Sequence, residues 1–237
     1  IVTYALPPER LRPHVDARLE LETAPLGPGG EPRAFVSAVP FLDWRFRAAR
    51  FWSPPQRFGQ TNYRAYVRER ETGRRAVWFF GTTLDSPFVL VPRYLWRLPW
   101  HAGAMRFDCE LEGEGDSASY RRYALATTRC PEASVELELE GQGDRAGRLE
   151  GFDDEEAGLV VLTHPLLGYY RRRDGRLGSY AIWHDRLRLE RARARRAYFS
   201  LFERLGLLSK DEQRSPHSAL VQPETEFTIY LPPRLVG

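Results

Sequence analysis

Hydrophobic and polar side chains alternate along much of this chain, the period of a strand with one face buried. In residues 44–52, Trp44 and Phe46 alternate with Arg45 and Arg47. Residues 33–41 are strand-like as well, and Pro54 and Pro55 break the pattern. Residues 61–70 and 76–83 form a pair of strands around a turn at 71–73, closed by Gly73. Residues 98–113, 117–128 and 133–141 predict a three-strand meander. Asp174-Gly175 marks a hairpin between residues 167 and 192, and residues 218–231 predict a last strand.

Helical signals are fewer. Pro7 and Pro8 start a short helix with Leu11 and Val15 on one face. Ser86 and Pro87 open a second, which Pro92 kinks or ends. Acidic residues 153–156 precede an apolar run to His164, the charge order that suits a helix start. Tyr198, Leu201, Phe202 and Leu205 stand at helical spacing before Gly206, a stripe read as helix-to-sheet packing. Strands dominate, short turns join them, and no regular strand–helix alternation signals a parallel sheet. The pattern predicts a mainly β, α+β fold: an antiparallel, curved, barrel-like sheet with a few peripheral helices. Closure is a common way to remove sheet edges.

Length and composition agree. The 237 residues are 42% hydrophobic, 13% aromatic and 28% charged, enough for a sizeable core in one domain spanning 1–237. No apolar run approaches the roughly 20 residues that cross a bilayer. No secretory signal is visible, although the chain opens at Ile1 without a Met. Two cysteines, Cys109 and Cys130, make neither a disulfide framework nor a metal cluster. The expectation is a cytoplasmic protein with reduced thiols and no membrane partner.

The net charge is +3, and arginines carry nearly all the positive charge, since Lys210 is the single lysine. An arginine stays protonated and forms no imine, so a mechanism needing an amine side chain has one candidate. The runs Arg171–Arg173 and Arg186–Arg196 are interrupted by Asp174, Asp185 and Glu190, which describes a solvated face and argues against nucleic acid. The five histidines lack metal-ligand spacing, so neither a metal nor another cofactor is expected. No nucleophile elbow or phosphate-cradling glycine loop is present.

The chemistry concentrates on one strand. Gln60, Asn62, Arg64 and Tyr66 share a face of residues 61–70 while aromatic residues surround them. Such a face is either wet or the wall of a pocket, with Arg64 offering a planar donor pair to a carboxylate or phosphate. His101, between Trp100 and Ala102, is a structural histidine or an acid–base group, and His184 could pair with it across a cavity.

The blocks NYRAYV (62–67), AVWFFGTTLD (76–85), PRYLWRLPWHAGAM (92–105), SYRRYA (119–124) and YAIWHDRLRLERA (180–192) make the chain resemble, in order and spacing, the YqjF-like family. That is a bacterial family of unknown function, and the likeness runs from about Thr3 to Pro233. The resemblance implies kinship with acetoacetate decarboxylases, a barrel-like fold and an internal cavity. Those enzymes use a Schiff-base lysine after a Gly-x-Pro block. The similar block here, Leu98-Pro99-Trp100-His101, holds no lysine, and Lys210 lies far along the chain. The expected function is binding of a small anionic or oxo-type molecule by Asn62, Arg64, Tyr66, Trp100, His101 and His184, without Schiff-base chemistry. The alternatives are a decarboxylase-like enzyme acting on a 3-oxoacid, and a non-catalytic homo-oligomeric interaction protein. The residues name no reaction.

Overall fold

Long strands organise the chain, and the central ones are buried on both faces. The computed structural model describes residues 1–26, 29–46, 56–113, 118–129, 131–139, 146–223, 225 and 227–236. Sixteen strands occur among them. The first six are β1 (Val2–Leu6), β2 (Leu19–Leu21), β3 (Thr23–Pro25), β4 (Pro32–Phe46), β5 (Gln56–Glu69) and β6 (Arg75–Leu84). The next four are β7 (Trp100–Ala102), β8 (Ala104–Glu112), β9 (Ser119–Thr128) and β10 (Ala133–Leu139). The remainder are β11 (Leu167–Arg171), β12 (Leu177–His184), β13 (Glu190–Phe199), β14 (Ser218–Val221), β15 (Phe227–Ile229) and β16 (Arg234–Leu235). Three α-helices are described: α1 (Pro8–Leu11), α2 (Glu155–Thr163) and α3 (Ser200–Arg204).

The main ladder runs β15-β12-β11-β6-β5-β4-β1-β14-β13-β10-β9-β8. The prediction of a curved, mainly β architecture with few helices stands, with two refinements. The sheet is mixed rather than wholly antiparallel: β11 and β7 both pair parallel to β6. It is also not closed, because no described pairing joins β8 to β15. The meander β8–β9–β10 forms as its alternation predicts.

Both faces of the sheet are covered. The first carries the larger core, in which Tyr4, Val36, Ala65 and Trp78 meet Leu125, Val135 and Phe199 from the far half of the curved sheet. Phe202 on α3 plugs it, set edge-on to Tyr4, Tyr63 and Phe80. The second face packs Phe35, Tyr66, Phe79, Trp100 and Tyr180 against Val161 and Leu162 of α2. Asp154 caps α2, its Oδ1 accepting from the Ala157 amide at 2.7 Å.

Local expectations change where tertiary pairing overrides propensity. Tyr198 and Phe199 belong to β13, paired with Ser134 and Ala133, so only Ser200–Arg204 remains helical. Leu201 and Phe202 of that stripe are buried in the first core, as helix-to-sheet packing predicts. Residues 86–96 make a 3-10 turn (Pro87–Val89) and a π turn (Val91–Leu95) rather than an α-helix, with Pro92 inside the second. The predicted last strand divides into β14 and β15. Strand β4 continues to Phe46, while residues 47–55 and Cys130 lie outside the described residues; Cys109 is a free thiol. Among the described residues no helix is long and apolar enough to cross a membrane.

Candidate functional site

The second face carries a buried polar strip. In an antiparallel pair, opposed residues share a face. On β4 and β5 the opposed pairs are Ser37 with Arg64, Val39 with Asn62, Phe41 with Gln60 and Asp43 with Phe58. Across β5 and β6, Asn62 faces Thr82 and Gln60 faces Leu84. A bulge at Tyr63/Arg64 then lets Arg64 face Phe79, and Phe80 turns to the first core. The parallel pairing of Thr82 with Trp100 adds Trp100 to this face. Three strands thus gather Ser37, Asp43, Gln60, Asn62, Arg64, Tyr66 and Thr82 on one face of the sheet.

Hydrogen bonds satisfy part of it. Asn62 Oδ1 accepts from Gln60 Nε2 and from Thr82 Oγ1, each at 2.9 Å. Tyr66 OH and Ser37 Oγ are 2.7 Å apart, and Ser37 continues to Thr3 Oγ1 at 2.8 Å. Arg64 Nη2 donates to the Leu162 carbonyl at 2.8 Å, near the C-terminal end of α2 where carbonyls lack helical partners. Its guanidinium carbon also lies 5.4 Å from the centre of the Tyr66 ring. Among the described residues three buried atoms of the strip have no protein partner: Arg64 Nε, Gln60 Oε1 and Asp43 Oδ2. An unpartnered group of this kind marks strain, chemistry or a missing partner molecule. Burial pushes the Asp43 carboxyl up to about 7 from its ordinary acidic range. The strip therefore holds a fixed cation, a free amide acceptor and a carboxyl able to exchange a proton near neutral pH.

Of the residues singled out in the sequence, Asn62, Arg64, Tyr66 and Trp100 share this face, although Trp100 is buried among apolar side chains. His184 continues the same face on β12, two residues beyond Ile182 and four beyond Tyr180, and lies toward its exposed end. There it stacks on His164, ring centres 6.0 Å apart, just after α2. His101 stands on the opposite face, because it pairs with Thr83, itself opposite Thr61. Its Nε2 fills the space above Gly81, 3.2 Å from where a Cβ would stand. Burial first, and then Arg93, Arg204 and Arg173, lower its imidazole to about 4. Around it the hydroxyls of Thr61, Thr83 and Thr127 are buried without partners. Lys210 is exposed after α3, its Nζ 5.6 Å from the centre of the Tyr198 ring, and does not belong to the strip.

Asp43 escaped the sequence reading. It sits in the same alternation as Phe41 and Phe35, but the uncertain strand boundary around Leu42 hid its phase. Ser37 and Thr82 were equally silent, since each becomes polar lining only through its cross-strand neighbours. Among the described residues no three His, Cys, Asp or Glu side chains gather as a metal site.

The sheet and its helices define the class. The enduracididine biosynthesis enzyme MppR complexed with pyruvate is similar over 99% of this chain and 86% of its own, with a TM-score of 0.58 at 15% identity. The acetoacetate decarboxylase from Legionella pneumophila is similar over 100% of this chain and 83% of its own, with a TM-score of 0.57 at 12% identity. The protein thus has an acetoacetate decarboxylase-like fold, and at these identities the likeness is one of fold. Within that class the family is defined by sequence: the DUF2071 family, described as an uncharacterized conserved protein, matches residues 1–226, and the chain belongs to it. No curated protein matches the chain significantly.

Proposed function

We propose that this protein binds a small anionic or oxo-type molecule in a cavity against the second face, with Arg64 as the anion-holding group. The observation that carries the reading is the pair of buried, unpartnered atoms Arg64 Nε and Gln60 Oε1, on either side of Asn62 along β5. A carboxylate would take the Nε–H, and the amides of Gln60 and Asn62 would orient an oxo or hydroxyl group. Tyr66 supports the guanidinium from beneath, and Trp100 supplies an apolar wall. Imine chemistry has no amine side chain here, because Lys210 is on the exterior.

Pyruvate and acetoacetate are the probes, and thermal unfolding and calorimetric titration are the readouts. A ligand at 100 times its dissociation constant stabilises by about 2.7 kcal/mol. The expected result is stabilisation by one of the two and its loss in Arg64→Gln. Absence of binding by both, or equal binding by the variant, would discard the reading.

A second reading, a decarboxylase-like enzyme for a 3-oxoacid, is favoured by Asp43, a carboxyl near neutrality on the same face. Release of carbon dioxide from acetoacetate, abolished by Asp43→Asn, tests it. A rate equal to the uncatalysed one removes it.

A further inference from the structure

A different part of the surface has the character of a second site. A cleft of about 300 Å³ is lined by Arg93, Tyr94, Arg97 and Arg173. Two guanidinium groups lie over one phenol ring, the Arg173 and Arg93 carbons 5.5 and 5.8 Å from the Tyr94 ring centre, and Arg97 lines the same cleft. Little carboxylate offsets them. Arg97 Nε is 3.9 Å from Asp174 Oδ2, and that oxygen is already held by Arg172 at 2.9 Å and Arg176 at 3.0 Å. Burial is not the reason for the clustering, since Tyr94 is 62% exposed.

The backbone holds this arrangement in place. Arg97 has a φ of 59°, a conformation side-chain-bearing residues seldom adopt, and its carbonyl accepts from the Arg173 amide at 2.9 Å. Arg172 Nη1 bonds the Trp96 carbonyl at 3.0 Å, and Arg93 Nη1 bonds the Trp100 carbonyl. Residues 91–97 are thereby tied to the β11–β12 turn, so like charges stay close. Leu90, Val91 and Leu95, in the same segment as Arg93 and Tyr94, are also exposed, at 52%, 42% and 68%. Concentrated apolar exposure of this kind marks an interaction site.

We propose that the cleft binds a phosphate group, with Arg97 and Arg173 as its forked donors, Tyr94 as a flat support, and the apolar rim receiving the rest of the molecule. Arginine forks match phosphate geometry bidentately and remain charged throughout the physiological range. The phosphate can belong to a soluble phosphorylated molecule or to a phospholipid headgroup, and the same residues serve both. This site shares no side chain with the Arg64 strip, so either can fail alone.

The test uses the whole chain with inorganic pyrophosphate by titration calorimetry, and separately with sedimenting vesicles of phosphatidylcholine with or without phosphatidylglycerol. The variant is Arg97→Gln/Arg173→Gln, whose side chains are exposed and whose mutual backbone bond is retained. Arg121→Gln/Arg122→Gln on β9 removes the same charge elsewhere. Binding of either probe that falls at least about tenfold in the first variant and is kept in the second supports the site. Pyrophosphate binding identifies a soluble source, and binding confined to phosphatidylglycerol vesicles a lipid one. No binding of either probe, or equal loss in both variants, overturns it.

Discussion

Arg64 uses only part of its guanidinium to hold the protein together. Nη2 caps α2 through Leu162, the plane lies near Tyr66, and Nε remains without a partner. Arg64→Lys keeps a charge but loses the fork, so we expect the fold to persist and oxo-acid affinity to fall at least about tenfold. Arg64→Met also deletes the bond to Leu162 and should cost about 1.5–3 kcal/mol in urea unfolding. Equal stability of wild type and Arg64→Met would deny the capping role. Asp43 governs the pH response of the same strip. Its folded value, about 7, lies above its unfolded value, so the native state holds a proton that the unfolded chain has released. This contribution is fully present below about pH 4 and is lost as pH rises through 7. His101 acts in the opposite sense: its value of about 4 lies below the unfolded one, so its contribution is present above about 6.5 and is lost as pH falls through 4. The two oppose each other between about pH 4 and 6.5, so Asp43→Asn should stabilise the protein at pH 8 and let stability rise with pH between 4 and 6.5, where every tenfold difference in proton affinity between the folded and unfolded chain is worth about 1.4 kcal/mol. Chemical denaturation across that range checks it, and an unchanged profile in the variant refutes it.

Elements meet where small residues permit it. Gly103 separates β7, which runs parallel to β6, from β8, which pairs with β9. A Cβ there would stand 2.5 Å from Thr83 Cγ2 and 3.1 Å from Thr127 Cγ2. Both threonines are buried and stiff at χ1, so neither yields easily. Gly103→Ala should cost about 1–3 kcal/mol, read as a fall in the denaturation midpoint. A neutral outcome would mean that the β7–β8 corner shifts freely. At this scale the sequence was legible in strand alternation, in the Asp174-Gly175 turn and in the acidic start of α2. It misled at Tyr198, because helical spacing describes local preference while the ladder to β10 supplies partners that only the assembled sheet offers. It misled again at residues 86–96, where Ser86 does cap a turn, its Oγ accepting from the Phe88 amide at 3.2 Å, but the segment adopts 3-10 and π geometry.

For the molecule as a whole, the fold relates this chain to enzymes whose identity with it is 15% or less in the cases described. The single lysine lies outside the polar strip, over Tyr198. Incubation with acetoacetate and borohydride should therefore leave no reduced adduct on Lys210, checked by mass spectrometry of the peptide. An adduct at that residue would return imine chemistry to the protein. The amino-acid sequence by itself determined the dominance of strands, the mainly β class, the absence of a lysine from the Leu98–His101 block and the shared face of Asn62, Arg64 and Tyr66. These follow from local alternation and composition, which each segment carries alone. Only the tertiary structure decided that the sheet is mixed and open, that His101 turns away from Arg64, that Asp43 joins the strip, and that Arg93, Arg97 and Arg173 line one cleft with Tyr94. Those outcomes depend on register between segments distant in sequence, and a one-residue change of register reverses which face a side chain meets.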